Sequence, residues 1–220
     1  MIENNNIGMD TGECGADIPM TPEEKFVNGV YSLVDEATAG KLDGLRSQEH
    51  IIPTCKLGCC HCCRDHILTN ILEAHTLAQY IKREFSTQQI NDLRMRTQQW
   101  HEWDNSRPGR YPSANIDGQT DLSSYDPCCP LLVNGECSAY RVRPVVCRTH
   151  FVSSPALVCL TANDPESAEE APVKLMSVVK AASPFSRVFR DHIENRGLDF
   201  SRSMMLLPHS LAIEMGWDFP

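Results

Sequence analysis

The sequence predicts a mainly α chain: a small helical domain with an irregular, cysteine-rich centre formed by two loops. Apolar residues recur at helical spacing in several segments that open on capping residues. Strands and helices do not alternate in the manner a parallel sheet requires. Nine of the eleven cysteines fall into two groups, residues 55 to 63 and 128 to 147, and the chain around them carries no period.

In order along the chain, residues 1 to 20 have turn and loop composition and predict a flexible N-terminal tail. Thr21 then offers an N-cap, Pro22 a first helical position, and Glu23 and Glu24 favourable first-turn charges. The predicted helix covers 22 to 37 with Phe26, Val30, Leu33 and Val34 on one face. "TAGKLDGLRSQEHIIPT" follows with two glycines and a proline and continues that helix only brokenly. Beyond the first cysteine group, Ala74, Leu77, Ala78, Ile81 and Phe85 mark a helix, and Ser86 with Gln89 forms a capping box for the next. In that next helix Ile90, Leu93, Thr97 and Trp100 share a face, and the tight joint predicts an antiparallel hairpin. Residues 105 to 130 are rich in proline, glycine and serine and read as a long loop.

An acidic linker follows Cys159, after which "VKLMSVVKAA" resumes a helical pattern. A separate helix is expected from Ser183 as cap and Pro184 as first residue, with Phe185, Val188, Phe189, His192 and Ile193 on one face and Gly197 as its stop. His192 belongs at the edge of a core. A last short helix runs from Pro208 to Met215, stopped by Gly216. No internal repeat is present.

With 220 residues and 41% hydrophobic content the chain can bury a core of its own. A net charge of −9 and a pI near 5.3 disfavour phosphate backbones and anionic membranes, so nucleic acid is not an expected partner. No apolar run reaches the roughly 18 residues of a membrane span. The N-terminus, "MIENNNIGMDTGECGAD", lacks the basic start and apolar stretch of a secretory signal, and the expected location is cytoplasmic. In a reducing compartment disulfides are not maintained, and thiols in such numbers hold metal.

"CKLGCCHCCRDH", residues 55 to 66, contains the C-x2-C pairs Cys59/Cys62 and Cys60/Cys63, preceded by Cys55. The second group is Cys129-x7-Cys137-x9-Cys147, with Cys128 beside the first. A C-x2-C turn lets two thiolates converge on an ion while backbone N–H groups point at the sulfurs. Thiolates select zinc, iron–sulfur clusters or cuprous copper over calcium and magnesium. Four saturate a tetrahedral zinc, so the surplus points to two metals, a cluster, or some cysteines that are merely buried. The expected metal ligands are Cys55, Cys59, Cys62, Cys63, Cys129, Cys137 and Cys147, with Cys59 and Cys60 as alternatives. This divides the chain into a tail (1–20), a cysteine-cluster metal-binding domain (21–160) and a C-terminal helical extension packed on the same domain (161–220).

These motifs resemble the cysteine-cluster proteins of the CxxCxxCC type, the YkgJ family. The likeness lies in "CKLGCCHCC" and in Cys129, Pro130, Leu131, Leu132, Gly135, Cys137, Tyr140, Arg143, Pro144, Cys147 and Arg148, with Glu73 and Ala74 in the helix between. It covers residues 50 to 155, with three residues rather than the commoner two inside the first cysteine pair. The resemblance implies a bacterial cytosolic protein that chelates zinc or iron. Some relatives, including flagellin lysine methylases, use an iron–sulfur cluster in protein methylation. Cys55-x3-Cys59-x2-Cys62 also resembles radical S-adenosylmethionine enzymes, whose barrel would need the strand–helix alternation this chain lacks.

Clustered thiolates need cations or N–H donors around them. Arg143 and Arg148 are the expected cofactor-binding cations, with Arg64 beside Cys63; surface ion pairs are the bland alternative. Pro144 can start a short helix with Cys147 in its first turn. Tyr140 is expected to pack under the site. His61, His66 and His150 are either ligands or hydrogen-bonding residues. Cys14 reads as an uninvolved thiol and Cys159 as a small buried apolar residue.

Two functional expectations result. The first is an iron–sulfur cluster, iron or zinc held by both groups and supporting a redox or methyl-transfer reaction with an unidentified protein or small molecule. The alternative is a structural zinc-binding adaptor module without catalysis. A thiol–disulfide enzyme lacks its βαβ setting.

Overall fold

The computed structural model describes residues 19–56, 58–106, 127–162 and 170–219. The expected N-terminal tail up to residue 18 and most of the expected long loop, 107–126, lie outside the described residues. The rest is mainly helical, as predicted.

Helix α1 (Pro22–Gln48) opens on a capping box: Glu24 N–H donates to Thr21 Oγ1 at 3.1 Å, and Thr21 N–H to Glu24 Oε2 at 2.8 Å. It does not end near residue 37 but continues through Gly40 and Gly44. Each glycine costs about 1 kcal/mol relative to alanine. The extension is held by Leu45, buried with Leu175 and Val178 in a small second core that Leu42, Ile51 and Phe151 flank. The helix stops where His50 adopts a left-handed φ of 54° and Ile51 N–H reaches back to the Leu45 carbonyl at 3.0 Å. Its buried stripe is Val27, Val30, Tyr31 and Val34. Leu33, expected inward, is 50% exposed, because the stripe is centred further round the helix.

Strand β1 (Leu68–Thr69) leads into α2 (Ile71–Glu84) and α3 (Thr87–Ser106). Asn70 caps α2 in a second capping box with Glu73, and Ser86 with Gln89 forms the third. The predicted α2–α3 hairpin is not the main packing: both helices lie on α8 (Leu207–Met215). Phe85, extended after α2, turns the chain away, and β4 (Met205–Leu206) pairs antiparallel with β1 to bring α8 against both.

Helix α6 (Met176–Glu194) is one helix where two were expected, with Pro184 inside it. Proline cannot donate to the carbonyl four residues back. Here the Ser183 hydroxyl donates to that carbonyl, Lys180 O, at 2.9 Å. Ser183 therefore repairs the helix rather than capping one. Phe189 and Ile193 pack into the main core, while Val188 is 40% exposed. His192 stacks on Phe26 at 4.0 Å, at the core edge as expected. Between α6 and α8 lies the short α7 (Phe200–Ser203). Gly216, with φ of 68°, stops α8.

The main core joins α1, α2 and α3 to Ala182, Phe189 and Ile193 of α6 and Leu207 and Leu211 of α8. Residues 161–220 thus contribute to the same core as the cysteine segments, which supply Leu131, Ala139 and Val142. Among the described residues no helix is long and apolar enough to cross a membrane.

Candidate metal centre

The first cysteine group enters on Thr54. Its N–H donates to Val152 O at 3.0 Å and its hydroxyl to Ser154 O at 2.5 Å. Val152 N–H in turn donates to Cys55 Sγ at 3.4 Å. Gly58, at φ of 83°, permits the bend that follows. A 3₁₀ turn, His61–Arg64, then carries Cys62 and Cys63, closed by Cys63 N–H donating to Cys60 O at 2.9 Å.

The second group is a tight hairpin, β2 (Leu132–Val133) with β3 (Glu136–Cys137), turning on Asn134 and Gly135 at φ of 52° and 81°. Two successive left-handed residues are what a type I′ turn demands, and Asn-Gly suits it best. Ala139 is buried behind the hairpin, and a 3₁₀ turn, Tyr140–Val142, leads to α4 (Val145–Thr149) with Cys147 in its first turn. The two groups meet through the backbone: Cys129 N–H donates to Cys63 O at 2.8 Å.

Two buried charged residues hold the second group to the helices. Glu73 Oε1 accepts Val145 N–H at 2.8 Å and the Tyr31 hydroxyl at 3.4 Å, while its Oε2 accepts Asn70 Nδ2 at 2.8 Å. Burial pushes the Glu73 carboxyl above its usual range, opposed by these bonds. Arg148 donates from Nε to Arg143 O at 2.8 Å, from one terminal nitrogen to Arg141 O, and from the other to Asp35 at 2.5 Å. Its guanidinium lies 4.1 Å from the Tyr31 ring centroid. Arg148 is thus a clamp between α1 and the 141–148 arm. Arg143 donates to Tyr140 O at 3.1 Å, covers the Tyr140 ring, and favours the Cys137 thiolate by its charge. Tyr140 does not pack under the site but is 45% exposed.

Every described cysteine is a free thiol. Burial is the first cause that raises the Cys129 thiol, up to about 12, with Cys137, Cys128 and Cys62 adding like-charge repulsion. Cys147 stands well above its usual value, first through burial, then through Cys129, Cys62 and Cys137. Cys63 is raised chiefly because it donates a hydrogen bond to Cys62, and the same bond lowers Cys62. Cys137 is raised by burial. Cys62, Cys63, Cys129, Cys137 and Cys147 are thus brought into mutual range. Cys55, raised by burial, instead senses Cys59 and Cys62.

Cys159 was not among the expected ligands. It sits on α5 (Ala156–Thr161), which packs on the His61–Arg64 turn, and is raised by burial and then by Cys55, Cys59 and Cys62. It is half-buried and outside the apolar core. His66 packs against Trp100 and Trp103, with centroids 5.5 and 5.7 Å away. His150 lies 3.8 Å from Asp65 and is lowered by burial. Beside Cys63 and Cys129 a small surface hollow is walled by His66, Trp100 and Pro208.

Among the described residues no three Cys, His, Asp or Glu side chains converge in a ready-made metal site. The donor set nevertheless suits a soft cation: unpaired thiols, withdrawn from water, whose thiolate forms repel one another. No protein-family model, characterised protein or solved structure significantly matches the chain.

Proposed function

We propose that the protein is a metalloprotein whose two cysteine groups hold an iron–sulfur cluster. The likeness to the CxxCxxCC family points the same way. The observation that carries the reading is the junction of the groups: Cys129 N–H on Cys63 O at 2.8 Å, with Cys62, Cys137 and Cys147 within electrostatic reach. Burial and like-charge repulsion make the Cys129, Cys137 and Cys147 thiols hold their protons, and a cation that replaces those protons would remove the repulsion.

The test is anaerobic purification of the full chain, followed by iron, zinc and acid-labile sulfide analysis and visible absorption. Brown protein carrying iron and sulfide, both lost in Cys129→Ser and Cys147→Ser, is the expected result. Colourless protein with stoichiometric zinc replaces the cluster by the structural zinc reading. Protein that takes up neither metal refutes both.

A further inference from the structure

Helices α1 and α6 share a long contact, and one titratable ring lies inside it. His192, in the last turn of α6, stacks on Phe26 of α1 with centroids 4.0 Å apart and planes 18° from parallel. Phe26 in turn meets the buried Phe189 edge-on at 6.0 Å, and Phe189 meets the buried Tyr31 at 6.5 Å. The His192–Phe26 stack therefore closes the first turns of α1 over the edge of the main core.

His192 Nε2 is buried in that stack and has no hydrogen-bond partner. A neutral imidazole tolerates this, because its proton can sit on Nδ1 and leave Nε2 as one unpaired acceptor. A protonated ring carries N–H on both nitrogens, and a charged donor buried without an acceptor costs far more than a neutral acceptor. Two charged groups face the ring: Glu23 from α1 and Arg196 from beyond α6, bonded to each other at 2.9 Å. His75 of α2 acts on Glu23, not on the ring. Burial first and Arg196 second, opposed by Glu23, hold the His192 imidazole below its ordinary range.

We infer that His192 is a proton-operated latch between α1 and α6: neutral, its ring closes the first turns of α1 onto the core, and protonated, it leaves Phe26 for water and releases them. Leaving the stack breaks no hydrogen bond at Nε2, since none exists there. The released imidazolium gains water on both N–H groups and stays beside the C-terminal carbonyls of α6, whose dipole favours a cation. A ring that binds its proton more weakly when closed keeps the latch shut above the pKa of the released ring and loosens it as the pH falls through that value. At pH 5.5, one unit below the ordinary 6.5, the released state gains by up to about tenfold over its population at pH 7.5. The latch needs no metal and is independent of the cluster reading.

The experiment is amide hydrogen exchange of the reduced full chain at about pH 7.5 and about pH 5.5, corrected for the intrinsic pH dependence of exchange. It compares the wild type with His192→Phe, which keeps a stacked ring and cannot take a proton, and follows the His192 ring of the wild type by NMR. Protection of residues 26–31 should fall by up to about tenfold in the wild type on acidification and stay unchanged in His192→Phe. Residues 39–48, at the other end of α1 and held by Leu45 in the second core, should keep their protection in both proteins. The His192 ring should titrate below 6.5. A ring that titrates at or above that value overturns the latch, whether or not the variant folds. Unchanged protection of residues 26–31 in the wild type, an equal loss in His192→Phe, or a loss spread evenly along α1 overturns it as well.

Discussion

Replacing Arg148 by Met removes a buried guanidinium while keeping an unbranched side chain of similar reach. The carbonyls of Arg141 and Arg143 and the carboxylate of Asp35 lose their donor, and the Tyr31 ring loses its cation. Hydrogen bonds to a charged group contribute about 1.5–3 kcal/mol each. Arg141 is exposed, so water can reclaim part of its share, and Asp35 is 49% exposed, which limits its pair to about 1 kcal/mol or less. The cation over the buried Tyr31 ring adds about 0.5–2 kcal/mol. The expected loss is about 3–4 kcal/mol, a large part of a total stability of about 5–15 kcal/mol. Urea denaturation of the reduced protein, followed by circular dichroism, measures it. Asp35→Ala should cost no more than about 1 kcal/mol, and Arg148→Lys should fall between, since an ammonium cannot span all three acceptors. If Arg148→Met stays within about 1 kcal/mol of wild type, or Asp35→Ala costs as much, the clamp is not what holds the arm.

Three further outcomes follow from the helices. Gly40→Ala and Gly44→Ala should each stabilise by about 0.5–1 kcal/mol, because a Cβ at either position meets nothing within 4 Å; an unchanged melting temperature would argue against a continuous α1. Pro184→Ala should stabilise by about 1–2 kcal/mol, the proline penalty of about 3 being reduced by the Ser183 bond to Lys180 O and by the greater freedom of the unfolded alanine chain, and a gain of about 3 kcal/mol would show that Ser183 does not stand in for the missing donor. Burial raises the Glu24 carboxyl, but its bonds to Arg83 at 2.8 Å and to Thr21 outweigh this and leave it below its ordinary value. A carboxyl lowered on folding stabilises above its unfolded pKa and loses that contribution as pH falls through the folded one. Glu24→Gln, which retains the capping box, should therefore cost about 1–2 kcal/mol at neutral pH and nearly nothing below the folded pKa. A cost independent of pH would refute this.

The helices were legible because their signals are local. Thr21 and Ser86 stand where caps stand, and the apolar period survives inspection of a few turns. The errors came where local grammar was ambiguous. Ser-Pro reads the same as a helix start and as a repaired helix interior, and two glycines read as a break unless a buried Leu45 lies beyond them. The Asn134–Gly135 hairpin is encoded in its dipeptide, which suits two successive left-handed residues between Val133 and Glu136. Within the centre, the meeting of two cysteine groups could be foreseen from their spacing. The use of Arg148 could not, since Asp35 lies 113 positions away, nor could the neighbours of Cys159, which depend on a tie between Thr54 and Ser154.

That dependence on distant ties says which part of the fold a metal would support. Val145 is bonded to Glu73 of α2, and Arg148 bonds the 141–148 arm to α1, so Cys147 is positioned by the helical core. The core itself is apolar and draws on α1, α2, α3, α6 and α8. By contrast, the 55–64 segment has no buried residue in its 3₁₀ turn, and α5 has none either. Removal of metal by a chelator should therefore leave the helical circular dichroism nearly intact. Amide hydrogen exchange should accelerate in residues 55–64 and 156–161 first, because their opening costs little buried area. A zinc finger behaves differently, since its fold vanishes with its metal. Collapse of the helical signal on chelation would mean that the thiolate centre, rather than the α1–α6 packing, is what the fold is built on.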